Sequence, residues 1–118
     1  MRLAYVAGRY RSPTLRGIVE NIQAAERVAL NLWRIGFATL CPHKNTAYFD
    51  GAMPDETWLS GDLVMLARCD LLVTVPGWEE SVGARAEVDF AELHEIPVYH
   101  WPEHADVLGK LGAEGRSA

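Results

Sequence analysis

Apolar residues along this chain follow two rhythms. Four short stretches, residues 2–7, 37–41, 70–75 and 97–101, are dominated by continuous apolar runs such as Leu71-Leu72-Val73-Thr74-Val75. Runs of that length predict buried strands, the first ended by Gly8 and the second stopped by Pro42. Between them apolar residues recur at three- and four-residue spacing. From 14 to 34 the positions Ile18, Ile22, Ala25, Val28, Ala29, Leu32 and Trp33 mark one face of a long helix that Gly36 closes. Ser12 followed by Pro13 reads as its start, a cap and then proline in the first turn. Further helices are predicted over 56–68 and 81–94, with a short one over 106–111. Residues 43–54 read as a polar loop, and 113–118 as a frayed tail.

The resulting order, strand and helix in strict alternation, predicts a parallel sheet with helices on both faces, because parallel neighbours need crossover connections. The fold expected for residues 1–118 is one α/β domain of three layers, α/β/α. Its sheet has four strands, five at most, in the flavodoxin- or Rossmann-like order 2-1-3-4. That order reverses between strands 1 and 3, where open α/β sheets place their ligand crevice. The loops after Gly8 and Val75 therefore face each other.

Composition narrows the class. The chain has 118 residues, 49% of them hydrophobic, and a formal charge of −5, which describes an ordered globular domain. An acidic balance without a Lys/Arg cluster argues against nucleic-acid polymers and anionic membranes as partners. Cys41 and Cys69 have no metal-type spacing and read as reduced thiols, and no apolar run reaches membrane-span length, so the expectation is a soluble cytoplasmic protein. Pro102 interrupts the His100/His104 pair, and neither a metal nor a cofactor is expected. Phosphate-loop, Gly-x-Gly-x-x-Gly and Gly-x-Ser-x-Gly motifs are absent from the sequence.

Chemistry-bearing residues gather at the predicted crevice. On the strand-1 side stand Tyr5, Gly8, Arg9 and Arg11, ahead of the helix that begins near Ser12. Helix-start amides and two guanidinium groups suit a phosphate; without a ligand the arginines are solvated and Gly8 relieves a turn. On the strand-3 side, Pro76-Gly77-Trp78-Glu79-Glu80-Ser81-Val82-Gly83-Ala84-Arg85-Ala86-Glu87 joins a buried strand to a helix. Ser81 can cap that helix or bond a ligand, and Gly83 lets a ligand approach the backbone. Trp78 either stacks on a flat base or anchors the loop. Glu87 is a site carboxylate or an acid favoured near a helix start. Asp62 lies on the polar face of the second helix or in a partly dry pocket. His43, just after strand 2, sits at the same sheet edge.

These residues resemble a known family. Tyr5-Val6-Ala7-Gly8, Asp62, Cys69-Asp70 and the run from Pro76-Gly77-Trp78 through Ser81-Val82-Gly83-Ala84-Arg85-Ala86-Glu87 look like DUF4406, from residue 3 to about residue 100. That family is similar to the nucleoside 2-deoxyribosyltransferases and the 2′-deoxynucleoside 5′-phosphate N-hydrolases. The resemblance implies cleavage of the N-glycosidic bond of a 2′-deoxynucleoside or its 5′-monophosphate, by hydrolysis or by transfer. It implies Glu87 as nucleophile, Tyr5 beside it, Asp62 contacting or protonating the base, and Ser81 and Gly83 at a phosphate. The chain departs from the relatives at Asp89, where they commonly carry glycine, and is expected to lack the fifth strand common among them. The alternative is a nucleotide-binding or sensing module without turnover. Finally, the run Leu63-Val64-Met65-Leu66-Ala67 offers more apolar surface than one sheet-facing stripe uses, which predicts a homodimer or a larger symmetric assembly that helps close the site.

Overall fold

In the computed structural model, which describes residues 1–117, the chain runs β1 (Leu3–Ala7), α1 (Leu15–Ile35), β2 (Ala38–Leu40), α2 (Pro42–Asn45), α3 (Asp55–Leu66), β3 (Leu71–Thr74), α4 (Val82–Leu93), β4 (Val98–His100) and α5 (Ala105–Ser117). A 3₁₀ turn, Trp78–Glu80, links β3 to α4. The strands form one parallel sheet in the order β2-β1-β3-β4. That is the predicted order, with four strands.

Strand alternation sorts the side chains between two layers. Ala4, Val6, Leu71 and Val73 pack with Ala25, Val28, Ala29 and Leu32 of α1 and Leu108 of α5. On the opposite face Tyr5, Ala7 and Leu72 pack with Leu66 of α3 and with Val88 and Ala91 of α4. β1 and β3 end level: Val75 N donates to the Ala7 carbonyl at 2.8 Å. Just beyond, a Cβ on Gly8 would stand 2.8 Å from Val75 Cβ and Cγ2, so only glycine lets these two loops meet so closely.

Several boundaries depart from the sequence expectation. Helix α1 starts at Leu15, not beside Ser12 and Pro13. Its cap is Thr14, extended at φ −122° and ψ 151°, whose Oγ1 accepts from Gly17 N at 3.0 Å. Ser12 Oγ instead accepts from Thr14 N at 3.3 Å and holds the approach to the helix. Within the expected loop 43–54, Pro42 opens the single helical turn α2, with proline in the tolerated first position. The expectation of a frayed tail is corrected over 113–117, since α5 continues to Ser117. Tertiary contacts hold it there: Arg2 Nη1 donates to the Leu111 carbonyl at 2.7 Å, and the Arg116 guanidinium donates to the Arg34 carbonyl. Gly112 lies directly on the end of α1, where a Cβ would come within 2.0 Å of the Ile35 carbonyl oxygen. Ala118, the last residue assigned to that tail, lies outside the described residues.

Candidate active site

Helix α4 buries the stripe Ala84, Glu87, Val88 and Ala91 against the sheet. Three of these are the small or apolar residues that such a stripe calls for, and the fourth is a carboxylic acid only 7% exposed. A charge taken out of water is costly unless it is paired or protonated. Glu87 meets this requirement through Tyr5, itself fully buried in the middle of β1, whose hydroxyl donates to Glu87 Oε2. The register fixes that tyrosine between Leu40 of β2 and Leu72 of β3. The start of α4 is fixed as well, because Ser81 Oγ caps it by accepting from Ala84 N at 3.1 Å.

Above this pair opens a cavity of about 150 Å³. It is lined from β1 and its loop by Gly8, Tyr10 and Arg11, from α2 by Pro42 and His43, and from α4 by Ser81, Gly83, Ala84 and Glu87. The fourth wall is α3, which presents Asp55, Trp58, Leu59 and Asp62. Their spacing of three and four residues places them on one stripe of that helix. A Cβ added to Gly83 would meet nothing nearer than Ser81 Oγ at 3.9 Å, so its missing side chain widens the cavity rather than relieving a contact.

Burial raises the affinity of both acids for protons. Glu87 is pushed up to about 8, first by desolvation and further by the nearby Asp62, while the Tyr5 hydrogen bond pulls it back. Asp62, half-buried, is pushed up to about 6 by desolvation. Tyr5 moves far upward, by burial and by the adjoining carboxylates, and stays a neutral donor. Near neutral pH the two acids therefore share one proton, held mainly by Glu87 while Asp62 is largely ionised.

The structure brings together Tyr5, Gly8, Arg11, His43, Asp62, Ser81, Gly83 and Glu87, and leaves Arg9 and Trp78 outside the cavity lining. Arg9 pairs with Glu80 at 3.1 Å. Trp78 stacks on His100, with ring centroids 5.5 Å apart and planes within 7°, so it anchors its loop. His43 lines the wall, but its Nε2 donates to the Arg9 carbonyl at 3.0 Å; burial lowers its pKa and keeps the ring neutral. Asp89 is exposed and stands apart from the cavity.

Sequence reasoning missed Tyr10, Thr46, Asp50, Asp55, Trp58 and Leu59. For three of them a signal existed: Asp55, Trp58 and Leu59 precede Asp62 by seven, four and three residues, which is one helix face. Tyr10 and Asp50 had none. They meet because Tyr10 Oη donates to Asp50 Oδ1 at 2.7 Å while accepting from Tyr48 N at 3.1 Å, fastening the 46–54 segment across the cavity mouth.

A family model described as a domain of unknown function, DUF4406, matches residues 4–100. That span reaches from β1 to the end of β4 and contains every residue of the cavity lining. No curated protein matches the chain.

Proposed function

From the premise that this chain belongs to the DUF4406 family, we propose that it cleaves the N-glycosidic bond of a 2′-deoxynucleoside or its 5′-monophosphate. The observation that carries the reading is the buried Tyr5–Glu87 contact in a cavity that also contains Asp62. The two carboxyl groups together hold one proton near neutral pH, and the form with that proton on Asp62 and Glu87 ionised supplies the two functions that departure of a base needs. Glu87 in its ionised form attacks C1′, and the C1′–N bond breaks with its electron pair going to the base nitrogen. Asp62 in its protonated form gives that nitrogen a proton. Water or a second base then attacks C1′ of the glycosyl ester, the C1′–O bond to Glu87 breaks with its electron pair returning to the carboxylate, and the attacking group's proton passes to Asp62. Tyr5 steadies the carboxylate before and after the bond forms.

A second copy of the chain completes this reading. Ligand pockets commonly span roughly 300–1,000 Å³, so a cavity of about 150 Å³ does not enclose a nucleoside by itself. Helix α3 fully buries only Leu66 and leaves Val64 55% exposed, and Leu93 on the neighbouring α4 is 78% exposed. We therefore assign the α3/α4 face to a symmetric homodimer, to be checked by light scattering at micromolar concentration; a stable monomer that still binds nucleosides would refute it. Both free thiols, Cys41 and Cys69, suit the reducing cytoplasm as the site of action. No described helix is long and apolar enough to cross a membrane.

The direct test incubates the protein with the common 2′-deoxynucleosides and their 5′-monophosphates, with and without a free acceptor base, and separates the products chromatographically. Release or exchange of the base supports the reading. Saturable binding without any product would instead establish a nucleotide-binding or sensing module.

A further inference from the structure

The charges around the cavity say which of these two substrate classes the site accepts. Four carboxyl groups line it, Asp50, Asp55, Asp62 and the mainly protonated Glu87, against a single guanidinium among the described lining residues, that of Arg11. That guanidinium is already engaged, in an ion pair with Asp55 at the start of α3. The neighbouring Arg9 is turned to Glu80, outside the lining. Ser81 and Gly83 remain as uncharged partners for a sugar oxygen. Ser81 Oγ accepts from Ala84 N, which leaves its hydroxyl proton free to donate. A phosphate dianion would enter a predominantly acidic mouth whose one cation is neutralised, whereas a 5′-hydroxyl meets no such opposition.

We infer that the site takes the unphosphorylated 2′-deoxynucleoside, and that Asp55 is a specificity-determining residue which withholds Arg11 from a 5′-phosphate. This rests on the glycosidic reading above and deepens it. Both partners of the pair are largely exposed, with side chains 70% and 64% accessible, so the effect of Asp55 itself is modest and falls with ionic strength.

The test compares kcat/KM for each 2′-deoxynucleoside with that for its own 5′-monophosphate at low salt. The wild type is expected to favour the nucleoside by about tenfold or more. Asp55→Asn should narrow that ratio by about two- to fivefold by releasing Arg11, and Arg11→Ala added to Asp55→Asn should remove the gain. Preference of the wild type for the monophosphate, or a ratio indifferent to Asp55→Asn, overturns the inference. Absence of turnover on every compound overturns the catalytic reading instead. The same ratio is then measured as dissociation constants by calorimetry, and tighter binding of the monophosphate overturns the inference there too.

Discussion

The face of the sheet covered by α1 and α5 is closed by apolar contacts, whereas the face under α3 and α4 carries Tyr5, Asp62 and Glu87 beside its apolar residues. Helix α1 buries Ile22, Ala25, Val28, Ala29 and Leu32 along its 21 residues. Full burial of a leucine or valine contributes about 1.5–3 kcal/mol, so this layer supplies much of the stability. Helix α3 fully buries only Leu66. Its Asp55, Trp58, Leu59 and Asp62 face the cavity, where they make room for a ligand instead of filling a core. One layer is packed as a platform, and the other gives up packing to a cavity that carries acids.

Replacing Glu87 by Gln should sharpen the contrast most. Turnover of any substrate is expected to fall by about a thousandfold or more, as when a covalent nucleophile is deleted. Stability should move the other way at alkaline pH. Glu87 rises from an ordinary 4.5 to about 8 on folding, so between these values the folded state binds a proton that the unfolded state lacks. Its contribution is full below pH 4.5 and is lost as pH rises through about 8, which costs on the order of a few kcal/mol. Thermal unfolding of the wild type should therefore show Tm falling across that window, and Glu87→Gln should flatten the dependence. A variant with wild-type turnover would remove Glu87 from the chemistry.

Core truncation on the two faces should give opposite outcomes. Leu32→Ala empties a fully buried position on the α1 face and should lose about 2–5 kcal/mol in urea unfolding, with kcat per folded molecule unchanged. Val64→Ala, at a half-exposed position on α3, should stay within about 0.5 kcal/mol in the isolated chain while weakening the proposed dimer, as read by light scattering. Equal destabilisation at both positions would erase the distinction between the layers.

The pH dependence of kcat/KM offers a finer measurement. With Asp62 at about 6 and Glu87 at about 8, the two acids together hold one proton between those values. The profile should be a bell with its maximum there, because the reactive form has Asp62 protonated and Glu87 ionised. Tyr5→Phe removes the hydrogen bond that favours the carboxylate. Its upper limb should move to higher pH and its rate should fall roughly tenfold to a hundredfold, the worth of a hydrogen bond to a charged group.

Much of the molecule was legible from local pattern. The four strands, their order and the long helix follow from apolar periodicity and from the crossover that parallel pairing demands. Glu87, Asp62 and Tyr5 stood out by residue type within those elements. The start of α1 was misplaced because Ser12 and Thr14 are both competent caps, and only the backbone at Thr14 shows which hydroxyl reaches a helix amide. The last turns of α5 were misread because their support is long-range, through Arg2, Arg34 and the closely seated Gly112.

The sequence by itself determined the architecture, since periodicity and turn chemistry are properties of neighbours along the chain. Which side chains share a cavity was decided by tertiary structure. Arg9 and Arg11 look equivalent in the sequence, yet one is turned to Glu80 and the other stands over the site paired with Asp55. Trp78 likewise takes the second of its two readings and anchors a loop against His100, while Trp58, which no sequence signal singled out alone, lines the pocket. Direction of this kind depends on contacts between residues tens of positions apart, and no local pattern encodes those contacts.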